Sequence, residues 1–510
     1  MSCEIELKLA LPHDALPALR RHLRAAPATR LGNAVTLDNT YYDTPALQLK
    51  AHKVAVRIRR QGRRTLQTVK CATLSSGGLS QRPEWEQDHD GAFDFSAVDD
   101  PATRRLLERH RDALVPVFTT RFRRETWRHS PREGLAILLM IDTGEVVLST
   151  PEGVERRAPI CELELELEQG QPADLLELAC ALAQDLPLMP ADLSKAERGY
   201  RLFRDAPPPA PCRSEPSTIA AGDSLIGAFR NLALACVRQW QANATAASAH
   251  TSPDEILSEC IHQLRVSQRR LRALLKIFAP ALPAGFVATW NARLRDNANR
   301  FGDARDLDVF CAELLATVRT EGLADADAMA LLTRTAENAR IDARHRSAHA
   351  LDIAAQGRLL LEFTLALERL ASNSLLEAAD LRTFARLRLE RLRKRGRRQL
   401  DAAATREPAA LHALRIGFKQ LRYGVEFFAP LFPAKVVKRY QERLACAQTT
   451  LGFLQDVDTA RARLAQWTAA QPAIAPAAAF VLGWHAPRYT RLRERVIRNC
   501  HPLVHGRRPW

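Results

Sequence analysis

The stretch CEIELKL (3–9) alternates with a period of two. An extended backbone therefore puts Glu4, Glu6 and Lys8 on one face and Cys3, Ile5, Leu7 and Leu9 on the other. The same split recurs further along: Arg57 and Arg59 share a face, as do Glu84 and Glu86, Arg121 and Arg123, and the run Glu162, Glu164, Glu166 and Glu168, each opposed by apolar neighbours. For one isolated strand a solvated outer face accounts for the pattern. Its recurrence on strand after strand favours a closed barrel with the ionic faces inside. Like charges crowded in such an interior repel unless each cluster is neutralised. Divalent ions neutralise carboxylates, and hard oxygen ligands favour Mg or Mn over zinc. An elongated polyanion neutralises the Arg and Lys set. A chain of phosphates fits both demands: cations hold it, metals bridge its oxygens and a water attacks the terminal phosphorus in line.

The elements that must position these groups follow from periodicity. Period-two segments at 3–9, 54–59, 65–70, 83–87, 118–124, 135–142 and 161–168 predict a many-stranded antiparallel sheet. Helical spacing at 13–23, 100–114 and 172–186 predicts helices between and after the strands. The Pro-rich stretch DAPPPAPCRSEPST (205–218) reads as a linker. Beyond it the chain is rich in Ala, Leu and Arg with 3.6-residue periodicity almost throughout, which predicts an all-α bundle. The expected domains are 1–205, a linker 206–218, and a helical domain 219–505.

That bundle contains an internal repeat. IHQLRVSQRRLRALLKIFAP (261–280) matches LHALRIGFKQLRYGVEFFAP (411–430) at an offset of 150, and RLRDNANRFGDARDLD (293–308) matches RLACAQTTLGFLQDVD (443–458) at the same offset. On a helix His262, Arg265, Arg269, Arg272 and Lys276 fall within a sector of about 80°, opposite Leu264, Leu271, Leu275 and Phe278. The second copy carries the stripe as His412, Arg415, Lys419 and Arg422. Two related stripes with few acids among them predict a shared basic groove. The run RLRLERLRKRGRRQL (386–400) points cations in nearly all directions and reads as solvated surface. Asp306 and Asp308, and their counterparts Asp456 and Asp458, diverge on a helix and are expected to pair with the repeat's arginines.

Composition limits the alternatives. The 510 residues carry a formal net charge of +16, yet residues 1–205 hold 29 basic and 30 acidic residues, whereas 206–510 hold 45 and 28. The excess positive charge, with its pull towards phosphate-rich partners, belongs to the C-terminal part. Ten scattered cysteines without a C-x-x-C pair argue against a disulfide framework and a zinc module. No nucleophile and base constellation is present, and the glycines of SSGGLS (75–80) read as a hairpin turn, since no GK[ST] follows. The N-terminus lacks a secretory pattern and no apolar stretch is long enough to span a bilayer, so a cytoplasmic protein without a membrane partner is expected. Only 6% of residues are aromatic and no nucleic-acid reading motif is present, which disfavours nucleic acid, although a basic groove leaves RNA as a competitor.

EIELK (4–8) resembles the E-x-E-x-K signature of the CYTH, or triphosphate tunnel metalloenzyme, superfamily. YYDTP (41–45), VRIR (56–59), Lys70 in QTVKC, ELELE (162–166) and LSKAERGY (193–200) occur in that family's order. The resemblance covers about residues 1–205 and implies an eight-stranded tunnel that hydrolyses a triphosphate, often inorganic triphosphate, with Mg2+ or Mn2+. It implies Glu4, Glu6, Glu162 and Glu164 as metal ligands or holders of metal-bound water. Lys8, Arg57, Arg59, Lys70, Arg121, Arg123 and Lys195 would bind phosphate, and Asp142 is an additional acid. Glu4, Glu6, Lys8, Asp142 and Lys195 form the expected catalytic set. Glu84 and Glu86 match less closely, TTRFRRE leaves open whether Arg123 or Arg124 is the second inward cation, and Glu166 and Glu168 are expected outside the tunnel.

The repeated H-x-x-R-[VI] pattern, Arg272 and Arg422, and GDARDLD resemble the CHAD family over about residues 219–505. This implies a polyphosphate-binding module, with His262, Arg265, Arg269, Arg272, His412, Arg415, Lys419 and Arg422 as its contacts. The resulting expectation is metal-dependent hydrolysis of inorganic triphosphate or short polyphosphate, with longer polyphosphate held by the helical domain. A non-catalytic polyphosphate-binding or targeting protein, and a hydrolase of thiamine triphosphate or ATP, stand as alternatives. Adenylate cyclase activity also occurs in the superfamily.

Overall fold

The computed structural model describes residues 3–72, 75–149, 155–207, 210–248, 254–319, 325–371 and 380–510. The chain divides into two compact units, Met1–Ala210 with Ile353–Leu370, and Pro211–Asp352 with Ala371–Trp510.

The first unit contains β1 (Cys3–Ala10), β2 (Ala28–Arg30), β3 (Val35–Asp43), β4 (Val54–Gln61), β5 (Arg64–Cys71), β6 (Leu79–Asp88), β7 (Val115–His129), β8 (Ala136–Ser149), β9 (Glu155–Gln169) and β10 (Met189–Pro190). All pairings are antiparallel. The order β1-β6-β5-β4-β3-β7-β8-β9 closes through β9 on β1, giving an eight-stranded barrel, with β2 added to β7 and β10 to β1. Strand β3 reads VTLDNTYYD, too polar to stand out by alternation, and was not among the strands expected from periodicity.

The barrel is inverted in polarity. Leu7, Leu9, Ile137, Leu139, Ile141, Leu163 and Leu165 are buried on its outside against α1 (Leu16–Ala25) and α4 (Pro172–Leu182), while the ionic faces of β1, β4, β5, β6 and β9 look inward. Burying each such Leu or Ile contributes roughly 1.5–3 kcal/mol, so the helices on the outside drive the sheet to turn its charges in. Register then sets opposite charges across from one another: Lys8 lies opposite Glu164, Glu4 opposite Arg82 and Lys70 opposite Glu84. At the turn before β6, Gly77 and Gly78 have φ of +66° and +80°, and a Cβ on Gly78 would sit 2.5 Å from the Lys8 carbonyl oxygen. Only glycine lets the turn approach β1 this closely.

Two further short helices, α2 (Gln48–Ala51) and α3 (Pro101–His110), flank the barrel's sequence, and α5 (Lys195–Phe203) packs on its interior face. The Ser194 hydroxyl caps α5 by accepting from the Glu197 amide at 3.1 Å. Gly199 lies against Phe118, where a Cβ would come within 2.0 Å of the ring, and Tyr200 stacks edge-on to the same ring. This seats Lys195 inside the barrel.

The second unit is all-helical: α6 (Leu225–Ala247), α7 (Asp254–Phe278), α8 (Ala284–Asn299), α9 (Gly302–Val309), α10 (Ala316–Arg319), α11 (Ala326–Ala350), α13 (Leu381–Ala402), α14 (Pro408–Phe427), α15 (Ala434–Ala470) and α16 (Ala475–His505). The two copies of the repeat differ in form: the segment equivalent to α8 and α9 runs unbroken in α15. Arg265 Nη1 donates to the Gly302 carbonyl at 3.1 Å, at the break between α8 and α9. Residues 210–220 carry no helix or strand, in the stretch expected as a linker, whose positions 208–209 lie outside the described residues.

The helical stretch 219–505 is interrupted in space. Helix α12 (Ile353–Ala371) belongs to the first unit: Leu361 joins the core of α1 and α4, and Gly357 packs on the Leu188 carbonyl, where a Cβ would approach to 1.8 Å. Arg358 donates to the Ala183 and Gln184 carbonyls at 3.1 and 3.0 Å, beyond the C-terminus of α4. Helical periodicity gives a segment an apolar face but does not say which core that face joins.

Candidate active site

A cavity of about 810 Å3 occupies the barrel. From the sequence-predicted set, Glu4, Glu6, Lys8, Arg57, Arg59, Lys70, Glu164 and Lys195 line it, together with Glu84 and Glu86. Lys70 bridges Glu4 (3.0 Å) and Glu84 (2.6 Å), and Lys8 pairs with Glu6 and, at 3.3 Å, with Glu164. Burial alone would raise the Glu84 carboxyl, but Lys70 and Arg57 pull it down to about 2. Asp142 and Glu162 are fully buried behind the lining. They anchor Lys195, which bonds Asp142 at 2.7 Å, Glu164 at 3.1 Å and Glu162. Burial opposes the Lys195 charge, yet these carboxylates hold its pKa well above the ordinary lysine value.

Two expected contacts fall elsewhere. Arg121 and Arg123 are on the outer face of β7, with side chains 66% and 57% exposed, and Arg121 pairs with Asp38 at 2.7 Å. The inward residues are Phe122 and Arg124. Arg124 bonds Asp142 through Nε at 2.8 Å and Nη2 at 2.6 Å, and Glu164 at 2.6 Å. The parity slips because α5 makes this part of the interior apolar: Phe118 and Phe122 pack there, so apolar residues on β7 do not mark the outside.

Glu166, expected outside, also lines the cavity. Burial, with Glu4 and Glu84 nearby, pushes its carboxyl up to about 7. Arg82, one residue before the strand expected from periodicity, bridges Glu4 at 3.2 Å and Glu6. Extending that segment back by one residue puts Arg82 on the face of Glu84 and Glu86. Tyr41 of YYDTP lines the cavity beside Arg57, whose Nε is buried without a partner. An anionic oxygen in the cavity would satisfy that donor.

In the helical unit α7 and α14 pack against each other and their cations converge. Lys419 is surrounded by Arg269 and Arg265 from α7 and Arg415 and Arg422 from α14, and burial with these charges lowers its ammonium to about 7. His262 Nδ1, Arg265 Nε and Arg269 Nε are buried without partners. Burial and Arg305, Arg269 and Arg265 hold the His262 imidazolium down near 4. Arg272 bonds Asn291 and Arg422 bonds Glu426, while His412 is exposed against Gln455. Asp306 and Asp456 act on Arg415, but Asp308 pairs with Arg344 from α11, and Asp458 with Arg461 and Tyr489.

Residues 2–200 match the CYTH domain and residues 231–465 match the CHAD domain. The chain is a CYTH and CHAD domain protein. An inorganic triphosphatase from Haemophilus influenzae is 29% identical over 205 residues, which is 39% of this chain and 54% of that protein; the match spans about half of the relative's length. The crystal structure of the CHAD domain from the plant Ricinus communis is 26% identical, covers 59% of this chain and 99% of that chain, and superposes with a TM-score of 0.50. A Hippeastrum protein described as having a dominant triphosphatase activity is 23% identical over 40% of this chain and 95% of that chain, with a TM-score of 0.29.

The CYTH domain's donor set suits a hard divalent cation. Glu4, Glu6, Glu164 and Glu166 reach the cavity with carboxylate oxygens, whereas the clustered oxygens of Asp142, Glu162 and Glu164, within 4.8 Å of one another, are engaged by Lys195 and Arg124. Among the described residues no helix is long and apolar enough to cross a membrane.

Proposed function

We propose that the CYTH domain hydrolyses inorganic triphosphate or short-chain polyphosphate with Mg2+ or Mn2+, and that the CHAD domain binds polyphosphate. The observation that carries this reading is the convergence of Lys8, Arg57, Arg59, Lys70, Arg82, Arg124 and Lys195 with carboxylates around one cavity. Triphosphate is a linear polyanion, and fixed cations along both walls hold it without reorganising. Lys195 and Arg124 are held in place by Asp142, Glu162 and Glu164 against their mutual repulsion, so they present fixed charge to the phosphate oxygens. Arg57 contributes the unpaired Nε. Glu4, Glu6, Glu164 and Glu166 would hold the divalent ion, which when bound would supply Lewis-acid polarisation of the phosphate and activation of water. The similarity to the Haemophilus influenzae inorganic triphosphatase supports the same reading.

The test is phosphate release from tripolyphosphate with Mg2+ or Mn2+, for the purified chain beside Glu4→Gln and Glu6→Gln, with ATP and thiamine triphosphate in parallel. Metal-dependent release lost in both variants supports the reading and ranks the substrates. No release from any of them by a folded protein contradicts it.

A further inference from the structure

The Arg-rich helix α13 presents its cations less uniformly than its sequence suggests. Arg393 donates to the Gly506 carbonyl at 2.9 Å and Arg397 to the Val504 carbonyl at 3.1 Å, so these two fasten the C-terminal end of α16. Glu390, the acid within the run, is turned to Arg508 and Trp510. Of the other cations of the run, Arg388, Arg391, Arg395 and Arg398 stand at i, i+3, i+7 and i+10 along one face. His262, Arg265, Arg269 and Arg272 on α7 have the same spacing.

Two hydrogen bonds place this stripe beside the basic face of α7 and α14. Arg388 Nη2 donates to the Lys276 carbonyl in the last turn of α7 at 3.0 Å. Arg395 Nη1 donates to Gln420 Oε1, the neighbour of Lys419, at 3.2 Å. Among the described residues, Lys276, Arg388, Arg391, Arg395 and Arg398 have no carboxylate within ion-pair distance, although other arginines of this unit do. At 1.5 Å per residue the α7 stripe from His262 to Lys276 runs about 21 Å and the α13 stripe about 15 Å. Such a span exceeds what a triphosphate needs.

We propose that the α13 stripe extends the basic face of α7 and α14, so that long-chain polyphosphate is held across all three helices and short chains across α7 and α14 alone. This rests on the reading of the CHAD domain as a polyphosphate-binding module, and adds chain-length selectivity to it.

The test is binding of long-chain polyphosphate and of tripolyphosphate to the full chain, in chelator to prevent turnover, as a function of salt. Arg391, Arg395 and Arg398 are exposed, so Arg391→Gln/Arg395→Gln/Arg398→Gln removes the Arg395–Gln420 bond but leaves the buried face of α13 in place. The expected result is a loss of about tenfold or more in long-chain affinity at low salt. The slope of log K against log salt should become shallower by about 2, at roughly 0.7 per cation removed. Tripolyphosphate binding should not change, and the triple Arg→Lys variant should retain long-chain binding. Unchanged long-chain affinity and slope in the folded Gln variant, or an equal loss for tripolyphosphate, overturns the inference while leaving the module's role intact. Absence of long-chain binding by the unaltered protein overturns both.

Discussion

Arg124 and its neighbours Arg121 and Arg123 differ by one position and by a change of side, which makes them a direct test of the tunnel at the residue scale. Arg124→Gln removes a buried cation bonded to Asp142 and Glu164 and should lower tripolyphosphate turnover by about 10²-fold or more. Arg121→Gln and Arg123→Gln, on the outer face, should stay within about twofold of the parent, because exposed charges contribute little. A second residue-scale prediction concerns Lys419. Its amine is neutral above about 7, whereas a bound polyanion favours the ammonium, so binding takes up a proton. Polyphosphate affinity should therefore fall as pH rises through and beyond 7, by at most about tenfold per pH unit. His262, near 4, titrates below that window. Lys419→Arg should flatten the profile, as measured by calorimetry across pH. The charged faces of β1, β4 and β9 were legible because there the outside is Leu, Ile and Val. The slip on β7 was not, since Phe118 and Phe122 face a helix that arrives some 75 residues later in the chain.

At the scale of elements, two helices decide whether the barrel holds its shape. In α5, Gly199 permits contact with Phe118, and Gly199→Ala should destabilise the first unit by roughly 1–3 kcal/mol and displace Lys195 with it. Thermal unfolding together with a loss of turnover checks this. Helix α12 supplies Leu361 to the barrel's outer core, so Leu361→Ala should cost about 2–5 kcal/mol in the first unit, read as a lower midpoint for barrel unfolding. The helices α1, α3 and α4 were legible to within a few residues, and the strands of strong alternation in place but not in length: β8 runs seven residues past its expected end and β9 begins six before its expected start. Strand β3 was hidden by Asp38, Asn39 and Thr40, which the barrel accepts because Asn39 bonds Thr120 at 3.1 Å and Arg59 at 2.9 Å. That α12 joins the first unit was not legible, because its apolar face fits a bundle equally well.

At the scale of the whole molecule, charge and chemistry divide along the sequence: the CYTH domain is nearly neutral overall and concentrates paired charges in a cavity, while the CHAD domain carries the net positive charge. Hydrolysis and long-chain binding should accordingly separate. Glu164→Gln should abolish turnover of tripolyphosphate and leave long-chain polyphosphate affinity within about twofold, since additivity holds for independent sites. Chelation of divalent ions should do the same. The central claim is that the tunnel splits a triphosphate, and phosphorus NMR of tripolyphosphate incubated with the protein and Mg2+ or Mn2+ tests it most directly. The account predicts orthophosphate and pyrophosphate appearing in equal amounts, and neither with Glu164→Gln. Intact tripolyphosphate in the presence of the folded, metal-supplied parent protein would contradict it.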